Sequence, residues 1–302
     1  MSRFVICLAA VVMLAPVTAQ GACEKVEHEP VDLALYYADT VGRTGDELKA
    51  TLNQIINSHV AYSYTPCVWE ILEEADEDPS DPANVIAFYT GRPIPKLRRD
   101  TGSGDQDSWN REHIWAKSKG FPNRSQDAHT DAHHIRAADR SVNTDRSNND
   151  YAEGGELDDE CAECREGDGT WEPPTRVKGD AARMVFYMAV RYEGNDQSDT
   201  PDLELVDRLT DTGEPHFGKL CTLVTWSSQD PVSPDERRRN DVVYSWQGNR
   251  NPFIDHPEFV PLIWGEECGM GPNDAVREEL LQRLERLESE INELRTIIEE
   301  QL

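Results

Sequence analysis

The chain has 302 residues, 37% hydrophobic and 29% charged, with a formal net charge of −28 at pH 7. That length allows one large domain or two modest ones with a sizeable core. So negative a charge excludes a protein that coats nucleic acid by global basicity, because phosphate neutralisation supplies most non-specific affinity; it leaves open an enzyme whose site is locally basic.

At the amino terminus, Arg3 precedes an apolar run from Phe4 to Val17 that is too short to span a membrane. Val17-Thr18-Ala19 is an acceptable small-residue cleavage site, so residues 1–19 read as a secretory signal peptide. Cleavage before Cys23, with lipid on that cysteine, is the alternative; Gln20-Gly21-Ala22 fits it poorly. No later stretch is apolar for long enough to cross a membrane, and a secreted or periplasmic protein is expected. Cys23, Cys67, Cys161, Cys164, Cys221 and Cys268 remain after the signal. An even number in an exported chain favours disulfides and leaves their pairing open. Cys161-Ala-Glu-Cys164 is half of a zinc ribbon without a second Cys-x-x-Cys, so a disulfide is the preferred reading.

Residues 30–75 are predicted to be mostly helical. Asp46 can cap a helix carrying Leu48, Leu52, Ile55 and Ile56, and a second carries Val68, Trp69, Ile71 and Leu72. Residues 76–84 (DEDPSDPAN) read as a solvated turn, calcium binding being the alternative. Val85–Thr90 reads as a buried strand ended by Gly91 and Pro93. After a polar loop, Arg111–Trp115 suits a strand, 117–130 a loop, Ala132–Arg136 a second strand and Ala137–Arg146 a helix. Residues 152–175 form an acidic, glycine-rich loop. Gly179–Tyr192 is apolar nearly all round and predicts a buried helix. Pro234–Gln247 reads as a further helix. Residues 20–268 are taken as one domain and 269–273 as a linker. In 274–302, Leu280, Leu284, Leu287, Ile291, Leu294 and Ile298 are spaced 4, 3, 4, 3, 4, a heptad pattern. Arg283 with Glu288 and Glu290 with Arg295 would then pair with opposite sign across a parallel self-association; a helix folded back on the body is the alternative.

Four of the eight histidines, His113, His129, His133 and His134, fall between Trp109 and Tyr151 among acidic, amide and arginine side chains. Phosphodiester hydrolysis needs a base for the water, and charge to hold the phosphorane and the leaving oxygen. A neutral histidine meets the first need near neutral pH, and a divalent ion with hard oxygen ligands the second. Glu112 and Asn143 offer such oxygens. Glu112 and His113 are adjacent, so in a regular strand they point to opposite faces.

Asn110-Arg111-Glu112-His113, Asp131-Ala132-His133-His134-Ile135-Arg136 and Val142-Asn143-Thr144-Asp145-Arg146-Ser147-Asn148 resemble, in that order, motifs of the bacterial endonuclease I family. Blocks at 89–92, 178–184 and 249–253 extend the resemblance over about residues 33–265. It implies an α+β fold with a His-Me finger (ββα-metal) core inside a mostly helical domain. It also implies a secreted, Mg²⁺-dependent endonuclease with little sequence preference, acting on DNA and in some members RNA, and leaving 5′-phosphate ends. Ca²⁺ or Mn²⁺ would suit the same oxygens. His113 matches the general base, and Glu112 and Asn143 match the two protein ligands of the ion. Arg124, the one arginine of the loop between the strands, matches the phosphate-stabilising position. Arg146 is a second candidate for phosphate, or a partner for Asp131 or Asp145. Ala137 stands where the family often has proline. Asp131, His133 and His134 are read as structural support, at most one of the two histidines facing the site, and His129 as loop surface. Trp109 and Trp115 read as core. A patch of Arg136, Arg140 and Arg146 is one way for an acidic chain to meet a polyanion. Two other readings stand beside the nuclease: a non-catalytic nuclease-like scaffold assembled through its terminal heptads, and a zinc hydrolase using the clustered histidines with Cys161 or Cys164.

Overall fold

The computed structural model describes residues 23–270, apart from 103, 196 and 197, together with individual positions between 281 and 296. The expected signal peptide, positions 271–273 of the linker, Leu280, Leu294 and Ile298 lie outside the described residues. The fold has helices and several small sheets and is α+β. No helix among the described residues is long and apolar enough to cross a membrane.

The helical part forms where apolar spacing and end signals agree. After a short turn of helix, α1 (Leu33–Tyr36), α2 (Gly45–Ile56) buries Leu48, Leu52 and Ile56 at i, i+4 and i+8. Thr44, not Asp46, occupies its cap position, and Asp46 and Glu47 sit in the first turn, where carboxylates favour the helix dipole. α3 (Cys67–Ala75) buries Val68, Trp69, Ile71, Leu72 and Ala75. α5 (Lys178–Arg191), reached after the central motif, buries every residue except the partly exposed Asp180. Its apolar side chains, at roughly 1.5–3 kcal/mol for each large one buried, make it the axis of the main core. α6 (Leu220–Gln229), α8 (Pro252–Asp255) and α9 (Phe259–Trp264) pack round it. α7 (Pro234–Gln247) has the bounds expected. Ser233 and Glu236 cap its first turn reciprocally, and Gly248 closes it at φ 81°, a left-handed conformation that suits glycine.

The site is carried by a smaller frame. β1 (Asn84–Ile86) pairs antiparallel with β2 (Pro93–Pro95). The strand expected to Thr90 stops at Ile86, because Gly91 N bonds Ala87 O in a turn and Phe88 N donates to Ala137 O instead. β3 (Trp109–His113) pairs antiparallel with β4 (Ile135–Asp139), Glu112 opposite Arg136 and His113 opposite Ile135. α4 (Arg140–Arg146) follows and packs on both. Each element lies two to three residues from its expected start. Asp131 is the reason for the late second strand: its Oδ1 accepts from His133 N at 3.0 Å and its carbonyl from His134 N, holding 132–134 in a turn. β5 (Asp150–Tyr151), β6 (Glu156–Leu157), β7 (Arg165–Gly167) and β8 (Thr170–Glu172) form a sheet in the order β5-β8-β7-β6, and β9 (Glu204–Leu205) pairs with β10 (His216–Phe217).

Disulfides join Cys23 to Cys67, Cys161 to Cys164 and Cys221 to Cys268. Cys161 and Cys164 are therefore bonded to each other and not available as zinc thiolates, and the Cys23 sulfur is not available to a lipid. In the 76–84 turn, Asp78 and Asp81 accept from backbone amides of their own loop. Asp76 is not solvated: it is 3% exposed, pairs with Arg136 and Arg239, and accepts from Ala137 N of β4. Leu281, Leu284, Leu287 and Ile291, at described helical positions of the heptad segment, are 43–53% exposed.

Candidate active site

Period two along β3 sorts the motif onto two faces. Asn110 and Glu112 face α4, and Arg111 and His113 face Tyr64, His113 also meeting His129 of the loop that connects β3 to β4. Glu112 is almost fully buried. Its Oε1 accepts from the Tyr89 hydroxyl at 2.7 Å and meets Arg146 Nη1 at 3.1 Å. No side chain among the described residues bonds its Oε2, and the backbone N–H of His113 also favours the carboxylate. Burial pushes the Glu112 carboxyl up, against the opposing pull of Arg146 and Tyr89, so the charged form is under-compensated there. Asn143, on α4, donates from Nδ2 to Asn110 Oδ1 at 2.7 Å, which turns its own Oδ1 away from that bond and leaves it without a partner among the described residues. A carboxylate oxygen and an amide oxygen, both free and both hard, fit Mg²⁺ better than Zn²⁺.

His113 closes the other face. Its Nε2 lies 3.1 Å from the carbonyl of His129. A carbonyl only accepts, so Nε2 carries the hydrogen and Nδ1 keeps its lone pair. Burial, with His134 and His129 beside it, holds the imidazole well below its ordinary pKa, so it is neutral at neutral pH. Its ring stacks on Tyr64, centroids 5.7 Å apart and planes 28° apart. His129, expected on the surface, is 3% exposed; its Nδ1 donates to Phe121 O and its ring meets Tyr64 edge-on. Burial pushes its pKa down too.

The support residues Asp131, His133 and His134 are all buried, and His134 Nδ1 is left without a hydrogen-bond partner. Asp131 accepts from Tyr187 and Tyr192 hydroxyls at 2.7 and 2.9 Å, from Gln247 Nε2 at 3.0 Å and from His133 N. His133 Nε2 donates to Asn249 O and packs on Tyr187; His134 Nε2 donates to Ala128 O and packs towards His113. One of the two histidines therefore faces His113 and the other faces Tyr187, although both lie in the turn before β4 rather than on a strand. These imidazoles share no common point with a cysteine ligand. Among the described residues the one group of three or more His, Cys, Asp or Glu side chains with converging ligand atoms is Glu193, Asp202 and Glu204, of which Glu193 and Glu204 pair with Lys49.

Arg146 corrects its expected role. It is 1% exposed, pairs with Glu112 rather than Asp131 or Asp145, and donates to the His113 and Ile114 carbonyls at 2.9 and 2.6 Å. It fastens α4 to the end of β3. The patch expected of Arg136, Arg140 and Arg146 is also absent. Arg136 pairs with Asp76, Arg140 with Asp100, and Arg146 with Glu112. Arg124 is exposed, as a phosphate contact requires, and its guanidinium lies 5.1 Å from the Tyr64 ring. Trp109 and Trp115 are fully buried.

The family model for endonuclease I matches residues 44–258. The chain belongs to the endonuclease I family. Two relatives are named extracellular ribonuclease. That of Bacillus subtilis (strain 168) is 48% identical over 235 residues, covering 77% of this chain and 79% of the relative. That of Bacillus amyloliquefaciens is 47% identical over the same length. The chain is thus a nuclease-family hydrolase, and its relatives act outside the cell.

Sequence reasoning gave no role to Tyr64, Tyr89, Asn110 and Arg111. Asn110 and Arg111 carried a signal, since each lies two residues from Glu112 or His113 on the same face. Tyr89 opens the 89–92 block, which marked the family but gave the tyrosine no role, and Tyr64 carried no signal.

Proposed function

We propose that this chain is an exported endonuclease that hydrolyses nucleic-acid phosphodiesters with His113 as general base and Mg²⁺ held by Glu112 and Asn143. The observation that carries the reading is the His113 tautomer. Its Nε2 is committed to the His129 carbonyl, which leaves Nδ1 to take a proton from water. A Mg²⁺ ion bound to the free oxygens of Glu112 and Asn143 would supply positive charge for the phosphorane and the leaving 3′ oxygen. Arg124 steadies the scissile phosphate. Tyr89 and Arg146 aim Glu112, and Asn110 aims Asn143. The two relatives' names favour RNA, and the motif resemblance favours DNA. Attack by an activated water does not use the 2′-hydroxyl, so both polymers are substrates. The β3–loop–β4–α4 order is what a ββα-metal core requires. Residues 1–19 direct export, and residues 276–302 join copies of the chain.

End-group analysis tests the mechanism. Cleaved RNA and DNA should both carry 5′-phosphate and 3′-hydroxyl ends, and EDTA should stop both reactions. A 2′,3′-cyclic phosphate on RNA, with DNA left intact, would show that the 2′-hydroxyl is the nucleophile and would overturn the water-activation scheme.

A further inference from the structure

Most described lysines and arginines are matched to a carboxylate, including buried pairs such as Arg183 with Glu236 and Lys119 with Asp150. Arg111, Lys117 and Arg124 have no carboxylate within ion-pair distance among the described residues, and they gather at one place. The Arg111 guanidinium lies 3.5 Å from the Tyr64 ring centre and 4.1 Å from that of Trp69, sandwiched between them. Arg124 approaches the same tyrosine. Arg111 Nη1 donates to Tyr64 O and to Thr65 Oγ1, while Nε and Nη2 have no acceptor among the described residues. Lys117 is exposed, four residues beyond His113. Partial burial, with Arg111 and Arg124 repelling it, lowers the Lys117 pKa. Three like charges left together on a chain of −28 are a cost that a polyanion relieves. The Tyr64 ring also stacks on His113.

We propose that Arg111, stacked on Tyr64, and Lys117, exposed four residues beyond His113, form a subsite for a phosphate of the substrate strand next to the one being cut. The inference rests on the nuclease reading and on His113 marking the reacting end. Arg124 meets the scissile phosphate, and the two further cations hold the backbone as it leaves the site. A stacked guanidinium with free Nε and Nη2 presents the fork that phosphate oxygens accept, and Lys117 adds a point charge. The subsite carries no base-reading group, so it strengthens binding of longer strands without choosing sequence. It also supplies the local basicity that the whole molecule lacks.

The test compares a dinucleotide, which has only the scissile phosphate, with a single strand of about 20 nucleotides. Cleavage of both by the unaltered protein comes first, so failure of the nuclease reading would show there. Lys117→Ala is the principal variant, because the side chain is exposed and makes no hydrogen bond among the described residues. Arg111→Met, which keeps an apolar filler between Tyr64 and Trp69, is the second, and Arg237→Ala, an exposed arginine on α7, is the control. For the long strand, KM should rise at least about tenfold and the slope of log KM against log salt should fall by about one per variant. The loss in kcat/KM on the dinucleotide should be smaller by about the same factor. Equal losses on both substrates would assign these residues to the chemical step, and an unchanged salt slope would remove them from the phosphate path; either overturns the subsite.

Discussion

Acidification should unfold this protein through two histidines far from any exposed surface. His133 and His134 are 1% and 0% exposed, and burial depresses each to a pKa of about 4, outweighing the attraction of Asp131. In the unfolded chain each returns to about 6.5. Between those values the unfolded state binds protons that the folded state refuses, so stability falls as pH drops from 6.5 towards 4. At about pH 4.5 linkage gives about 2.5 kcal/mol for each histidine, and about 5 kcal/mol is an upper figure for the pair because both couple to Asp131. That is a large part of the roughly 5–15 kcal/mol available to a domain. Asp131 acts in a different window. Burial works against its charge, but His59, His133, His134 and the Gln247 amide hold its carboxyl below the ordinary range, so its contribution goes only at more acid pH. Urea unfolding followed by tryptophan fluorescence, with disulfides intact, should show the loss between about pH 7.5 and 4.5. A double variant with His133→Gln and His134→Gln, which keeps a donor for each carbonyl, should be less stable at neutral pH but flatter with pH. A wild-type loss under about 1 kcal/mol over that range, or an equally steep double variant, would refute the reasoning.

Two further outcomes follow from the site and the terminal helix. His113→Ala should lower the cleavage rate by at least about two to three orders of magnitude while leaving the unfolding transition in place; a mild loss would reassign the base. Removing residues 274–302 should lower the mass measured by light scattering without abolishing cleavage. An unchanged mass would favour a helix held on the body, where Arg286 already meets Glu258 and the Asp255 carbonyl.

Much of the helical frame was legible because it is written locally. α7 has a reciprocal cap and a closing glycine, and α5 an unbroken apolar run, so their bounds could be read almost to the residue. The ββα segment was legible in order but not in register. Its strands are five residues each, and a single carboxylate, Asp131, decides where β4 begins through bonds to Tyr187, Tyr192 and Gln247. Those partners lie more than fifty residues away in the chain, so no local pattern announces them. Arg146 was misjudged for a related reason. A charged side chain beside a candidate site suggests substrate, and only packing shows that it is buried against Glu112.

By itself, the sequence determined the family, the chemical types at the centre and the alternation that separates Glu112 from His113. These depend on residue identity and on the two-residue period of a strand, both of which are local. Tertiary structure alone decided which atoms are free. Tyr89 and Arg146 occupy one oxygen of Glu112, Asn110 takes the Asn143 amide nitrogen, and the His129 carbonyl takes His113 Nε2. It also decided which charges remain uncompensated, leaving Arg111, Lys117 and Arg124 together in an otherwise acidic protein. Both outcomes depend on contacts between distant elements, because a hydrogen bond or an ion pair is set by distance in space rather than by separation along the chain.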